Sequence, residues 1–90
     1  MSYIDERGRV STRVAGIIQR GLAREAVAVR NVSVGGAMIE LTAPPSEGET
    51  LLFECNATGL VDARVAWVVG NRCGLRFKHL IPSLARTATG

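Results

Sequence analysis

The sequence predicts an all-β fold, a six-stranded antiparallel β-barrel. Three observations carry this. Apolar residues alternate with polar ones at period two in several short segments. Turn-forming residues separate those segments at spacings of about ten residues. Ten glycines and three prolines in 90 residues supply many chain reversals. The chain is 47% hydrophobic and 21% charged, enough for a packed core in one small domain. Aromatics are only 4%, so Val, Ala, Ile and Leu must fill that core. A barrel is preferred to a sandwich because closure removes exposed strand edges.

Taken in order, residues 1–13 read as an N-terminal arm, 14–80 as the barrel and 81–90 as a C-terminal tail. Met1 to Gly8 is polar and irregular, which predicts a flexible arm. A first strand is expected over Arg13 to Gln19, with Val14, Ile17 and Ile18, and a turn over Arg20 to Ala23. Arg24 to Val32 predicts the second strand. Its alanines also suit a helix, but Gly21 and the Gly35-Gly36 pair on its flanks and valines at alternate positions favour a strand. Ala37, Ile39 and Leu41 alternate with Met38 and Glu40 in a third strand. Ala43-Pro44-Pro45-Ser46-Glu47-Gly48 is a loop. Leu51, Phe53 and Cys55 share one face of a fourth strand, and Asn56 to Gly59 turns the chain. Val61, Ala63, Val65, Trp67 and Val69 form the longest period-two run, with Asp62 and Arg64 opposite. That phase places Trp67 in the core. Gly70-Asn71 has the composition of a tight hairpin turn. Cys73, Leu75 and Phe77 then alternate with Arg76 and Lys78. From Leu80 the tail is expected to hold at most one helical turn, since Pro82 suits a first helical position.

Several functions are disfavoured by the same residues. The net charge is +3, and ten of the eleven cations are Arg. An excess this mild suits an anionic small ligand better than a nucleic-acid polymer, which calls for a denser basic stripe. High-GC coding would enrich Arg as well. Cys55 and Cys73 are the only cysteines, without a Cys-x-x-Cys pair, and His79 is the only histidine, so neither a zinc site nor any other cofactor is expected. No apolar run is long enough for a membrane helix and no secretory leader is visible, so a reducing, cytoplasmic setting is expected, with both cysteines in the core. No catalytic set stands out. His79 has no nucleophile beside it, and Ser33 lacks the nucleophile-elbow pattern. The expectation is a binding protein and not an enzyme.

The stretch Asn31-Val32-Ser33-Val34-Gly35-Gly36 interrupts two apolar runs where a strand would otherwise continue. Asn and Ser offer short hydrogen-bonding side chains, and glycine lets another molecule approach the backbone. By itself the stretch reads equally as a turn or bulge. A second feature, Arg9-Val10-Ser11-Thr12-Arg13, adds two planar cations suited to phosphates and guanine edges.

With both features in order, the chain resembles the PilZ domain family. That family carries Arg-x-x-x-Arg in an N-terminal arm, followed by Asp/Asn-x-Ser-x-x-Gly. Here the motifs are Arg9-Val-Ser-Thr-Arg13 and Asn31-Val-Ser-Val-Gly-Gly36. Ala37-Met-Ile-Glu, the Pro-Gly loop, Arg64-Val-Ala-Trp67 and Gly74-Leu-Arg-Phe77 also look like the family's later strands. The likeness spans roughly residues 6 to 80. It implies a six-stranded barrel and a receptor for the bacterial second messenger cyclic di-GMP. By the same resemblance Arg9 and Arg13 contact guanine and phosphate, and Asn31, Ser33 and Gly36 form the barrel side of the site. Two positions depart from the pattern. Gly8 stands where many members have an additional Arg, which bears on how many nucleotides stack. Thr12 stands where many have Pro, leaving a less rigid arm that costs more to order.

The implied function is a cyclic di-GMP receptor that signals to an unidentified effector protein by ordering its arm on the nucleotide. With no output domain of its own, such a domain is expected to act through that partner. One alternative is a PilZ-like barrel that has lost the nucleotide and serves as a protein-interaction module; missing motif arginines would mark it. Another is an unrelated small barrel binding single-stranded RNA or DNA, which would normally show surface aromatics for stacking.

Overall fold

A computed structural model of the protein describes residues 3–4, 10–11, 14–82 and 84. The strands are β1 (Tyr3–Ile4), β2 (Val10–Ser11), β3 (Val14–Arg20), β4 (Ala23–Val32), β5 (Gly36–Glu40), β6 (Thr50–Cys55), β7 (Gly59–Val69) and β8 (Arg72–Phe77). β3 to β8 close into an antiparallel barrel in the order β3-β4-β5-β8-β7-β6. The six expected barrel strands are therefore present, each within two residues of its expected bounds.

The barrel consists of two three-stranded meanders, β3-β4-β5 and β6-β7-β8, joined along two seams. One seam is β5–β8, from Gly36↔Arg76 to Glu40↔Arg72. The other is β3–β6, with the pairs Ile17↔Glu54, Ile18↔Phe53 and Gln19↔Leu52. Two-residue turns close the β3–β4 and β7–β8 hairpins. Each has glycine at its first position with positive φ, Gly21 at 62° and Gly70 at 58°. Glycine there, with negative φ at the next residue, matches the primed turn that suits strand twist.

Inward-facing residues follow the period-two pattern. Ile18, Val27, Val29, Ile39, Leu51, Phe53, Val65, Leu75 and Phe77 are buried. The Phe53 and Phe77 rings stack with centroids 6.0 Å apart. Cys55 and Cys73 are free thiols buried in the same core, as expected, and burial pushes the Cys73 thiol above its ordinary pKa. The loop after β5 is tied to β7 by Gly48 N–H donating to the Val65 carbonyl (2.7 Å) and Val65 N–H to that of Glu49 (2.8 Å).

Two expectations require correction. Trp67 is not in the core: it is 39% exposed and Val69 is 69% exposed, whereas Val68 packs against the core. The cause is a register shift between Val65 and Trp67, where Val65 pairs with Leu75 and Trp67 with Gly74. The extra residue, Ala66, inverts the alternation beyond it. The arm is also not wholly irregular, since β1 and β2 pair through Tyr3↔Ser11 and Ile4↔Val10. At the other end Leu84 N–H donates to the Ile81 carbonyl (3.0 Å), one turn and no more among the described residues.

Candidate functional site

A second register shift, between Val29 and Asn31, sets the site. Val29 pairs with Ile39, but Asn31 pairs with Met38, leaving Arg30 as the extra residue. The shift turns Asn31 outward and Val32 back toward the core. Arg30 is held in this bulge by Glu40, with Arg30 Nη1 donating to Glu40 Oε1 at 2.9 Å. Arg72 Nε donates to Glu40 Oε2, also at 2.9 Å, so one carboxylate spans the β5–β8 seam. The Arg72 hydrogen bond, followed by the charge of Arg30, holds the Glu40 carboxyl below its ordinary pKa.

Outward-facing residues of four strands then align in one lateral row, Asn31–Met38–Gly74–Trp67. The row shares a cavity of about 500 Å³ with Ser33, Gly36 and Arg76, a size suited to a small-molecule ligand. Gly74 is buried because the Trp67 indole lies directly over it; a β-carbon on Gly74 would meet indole Nε1 and Cε2. The floor of the site is thus an indole laid flat along a glycine, with part of the ring still exposed.

Ser33 closes a turn. Its N–H donates to the Gly36 carbonyl at 2.8 Å, and its Oγ reaches the same oxygen only at 3.4 Å. That second bond is long, so the hydroxyl remains available. The turn is pinned from outside by Phe77 N–H to the Gly35 carbonyl (2.9 Å) and Ile81 N–H to the Val34 carbonyl (2.8 Å). Asn31 is exposed and its side chain bonds to no other described residue. Arg76 is exposed and has no ion-pair partner among the described residues.

Asn31, Ser33 and Gly36 are therefore brought together, and the fold itself makes a separate demand on Gly36. The space where its side chain would stand is filled by the Leu75 backbone carbonyl of β8. Glycine is required there for the β5–β8 strands to approach, before any ligand arrives. Arg9 and Arg13 lie outside the described residues. The sequence reading missed Trp67, Met38 and Arg76 as cavity residues. A glycine inside a strand, Gly74, was the available signal, since it marks a close approach.

The chain belongs to the PilZ domain family: that family's model matches residues 5–88, nearly the whole sequence. PilZ domains are binding modules, and the family is one of cyclic di-GMP receptors. No curated protein matches the chain.

Proposed function

We propose that this protein is a cyclic di-GMP receptor whose nucleotide site is the cavity bounded by Asn31, Ser33, Trp67 and Arg76. The observation that carries the proposal is the meeting of the Asn-x-Ser-x-x-Gly stretch with an exposed indole and an arginine that has no ion-pair partner among the described residues, all in one cavity. Each group matches a part of the ligand. The exposed indole face offers a stacking platform for a purine. Asn31 and Ser33 offer donors and acceptors to the guanine edge. Arg76, with Arg9 and Arg13 of the arm, supplies charge-assisted bonds to phosphate and bidentate contacts to guanine O6 and N7.

The arm is proposed to close over the nucleotide and present a new surface to an effector protein, an ordering switch. The entry point of the barrel supports this. Val14, directly after Arg13, pairs with Val29, two residues before Asn31. No turnover of the nucleotide is proposed. Chromatography after long incubation tests this point, and linear dinucleotide or GMP in excess of controls refutes it.

Calorimetric titration with cyclic di-GMP, and with cyclic di-AMP as control, tests the function. Binding is expected for the guanine ligand with strong discrimination against adenine, which presents a donor where guanine presents O6. Equal affinities refute guanine recognition, and no binding at micromolar protein would leave a PilZ barrel acting only as a protein-interaction module. Hydrogen exchange tests the arm. Amides of residues 5 to 13 are expected to gain protection at saturating nucleotide, and no gain refutes the switch.

A further inference from the structure

A second groove, about 680 Å³, lies on the other side of Arg76 and crosses the β3–β6 seam. It is built from two lateral rows. Thr50, Arg64 and Arg76 are successive cross-strand neighbours, and so are Gln19, Leu52 and Asp62. Lys78 joins the second row through its N–H, which donates to the Asp62 carbonyl at 2.9 Å. Arg64 and Arg76 stand directly opposite each other, an arrangement that costs stability between like charges.

The charge distribution singles this groove out. Elsewhere on the barrel, Arg20 pairs with Glu49, Arg24 with Glu54, and both Arg30 and Arg72 with Glu40. Among the described residues, Arg64, Arg76 and Lys78 have no carboxylate partner. Three cations thus face one carboxylate, Asp62, around a half-buried Leu52.

We propose that this groove docks an acidic segment of a partner protein, with an aliphatic side chain on Leu52 and carboxylates on Arg64, Arg76 and Lys78. The barrel is closed, so a partner cannot add a strand to it and must be recognised by side chains. A nucleic-acid strand suits the groove less well. Asp62 at its centre repels phosphate, and the only aromatic lining it among the described residues, Phe77, is buried and offers no stacking face. Arg76 lines both this groove and the Asn31–Trp67 cavity. On the function proposed above, nucleotide that engages Arg76 draws it from the acidic segment, so the two ligands oppose each other reciprocally.

Selection of random dodecapeptides on immobilised wild-type protein, followed by anisotropy with the enriched sequences, tests the docking. Enriched peptides are expected to flank Leu, Ile or Met with Asp or Glu. They are expected to bind Arg64→Glu and Lys78→Glu at least about tenfold more weakly, with both variants melting like wild type. Enrichment without acidic residues overturns the proposal, as does unchanged affinity in both variants. Binding of oligouridylate that depends on Arg64 and Lys78, without peptide binding, overturns it in favour of nucleic acid. Neither Arg64 nor Lys78 lines the nucleotide cavity, so failure of cyclic di-GMP to bind leaves the peptide result standing by itself. Where the nucleotide binds and peptide affinity is unchanged at saturation, the coupling through Arg76 is refuted.

Discussion

Replacing Gly36 with alanine separates folding from binding at the motif. A β-carbon on Gly36 falls on the Leu75 carbonyl, with the Leu75 carbonyl carbon at 3.3 Å and the Arg76 Cα at 3.6 Å. All three are backbone atoms of β8, so no side chain can swing aside. The strands must part at one end of the seam where Gly36 pairs with Arg76. Overpacking typically costs about 1–3 kcal/mol, and a backbone obstacle puts Gly36→Ala near the upper end. The unfolded chain loses some freedom with alanine, which returns about 0.4–1 kcal/mol. A net loss of about 2 kcal/mol lowers the melting temperature of a domain this small by roughly 10 °C. Thermal unfolding followed by circular dichroism measures it. Calorimetry with cyclic di-GMP, run well below the variant's transition, then reads any binding defect separately. A variant that melts within about 2 °C of wild type refutes the packing role. In that case the glycine belongs to ligand approach, as its motif alone suggests.

Trp67→Ala is expected to weaken cyclic di-GMP binding by about 1–3 kcal/mol through loss of the stacking surface; unchanged affinity by calorimetry removes Trp67 from the site. Gly70→Ala places a β-carbon at a positive φ of 58°, which costs about 1–2 kcal/mol and is read as a lower melting temperature with nucleotide affinity unchanged. Acid should loosen two tethers. Hydrogen bonds from Arg72 and Arg30 lower the pKa of Glu40, and those from Arg20 and the Ser46 N–H lower that of Glu49. Their folded-state values lie below the unfolded ones, so their contribution is complete above roughly pH 4.3 and disappears as pH falls through the lower folded values. Glu40→Gln with Glu49→Gln is expected to flatten the melting temperature between neutral and acid pH; an unchanged acid slope refutes this assignment.

The barrel strands were legible because each keeps its inward face at period two over most of its length, between glycine or proline breaks. The bulge in β4 was partly legible as well: apolar residues run Val27, Val29, then Val32, a visible change of phase. The bulge in β7 was not. Trp67, Val68 and Val69 are all apolar, so either phase looks hydrophobic, and only the pairing with β8 decides which side chain faces out. Pairing across the two seams joins strands that are not consecutive, and local pattern carries no information about it. That is why Arg76 and the reason for Gly36 emerged only from the fold. The β1–β2 ladder has two pairs, too few for periodicity to register.

The cavity draws Asn31, Ser33, Gly36 and Met38 from the first meander and Trp67, Gly74 and Arg76 from the second. Neither half alone contains the cavity. On the proposed function, the chain therefore offers the ligand only part of its site during synthesis, until its last barrel strand, β8, has been made and has found β5. Before that point the motif stretch Asn31–Gly36 is only one end of an unclasped sheet. A ligand that binds only the clasped form then acts as a rivet, shifting the folding equilibrium by mass action. If the proposed function holds, the concentration of nucleotide would in this way set the fraction of molecules whose two halves are joined.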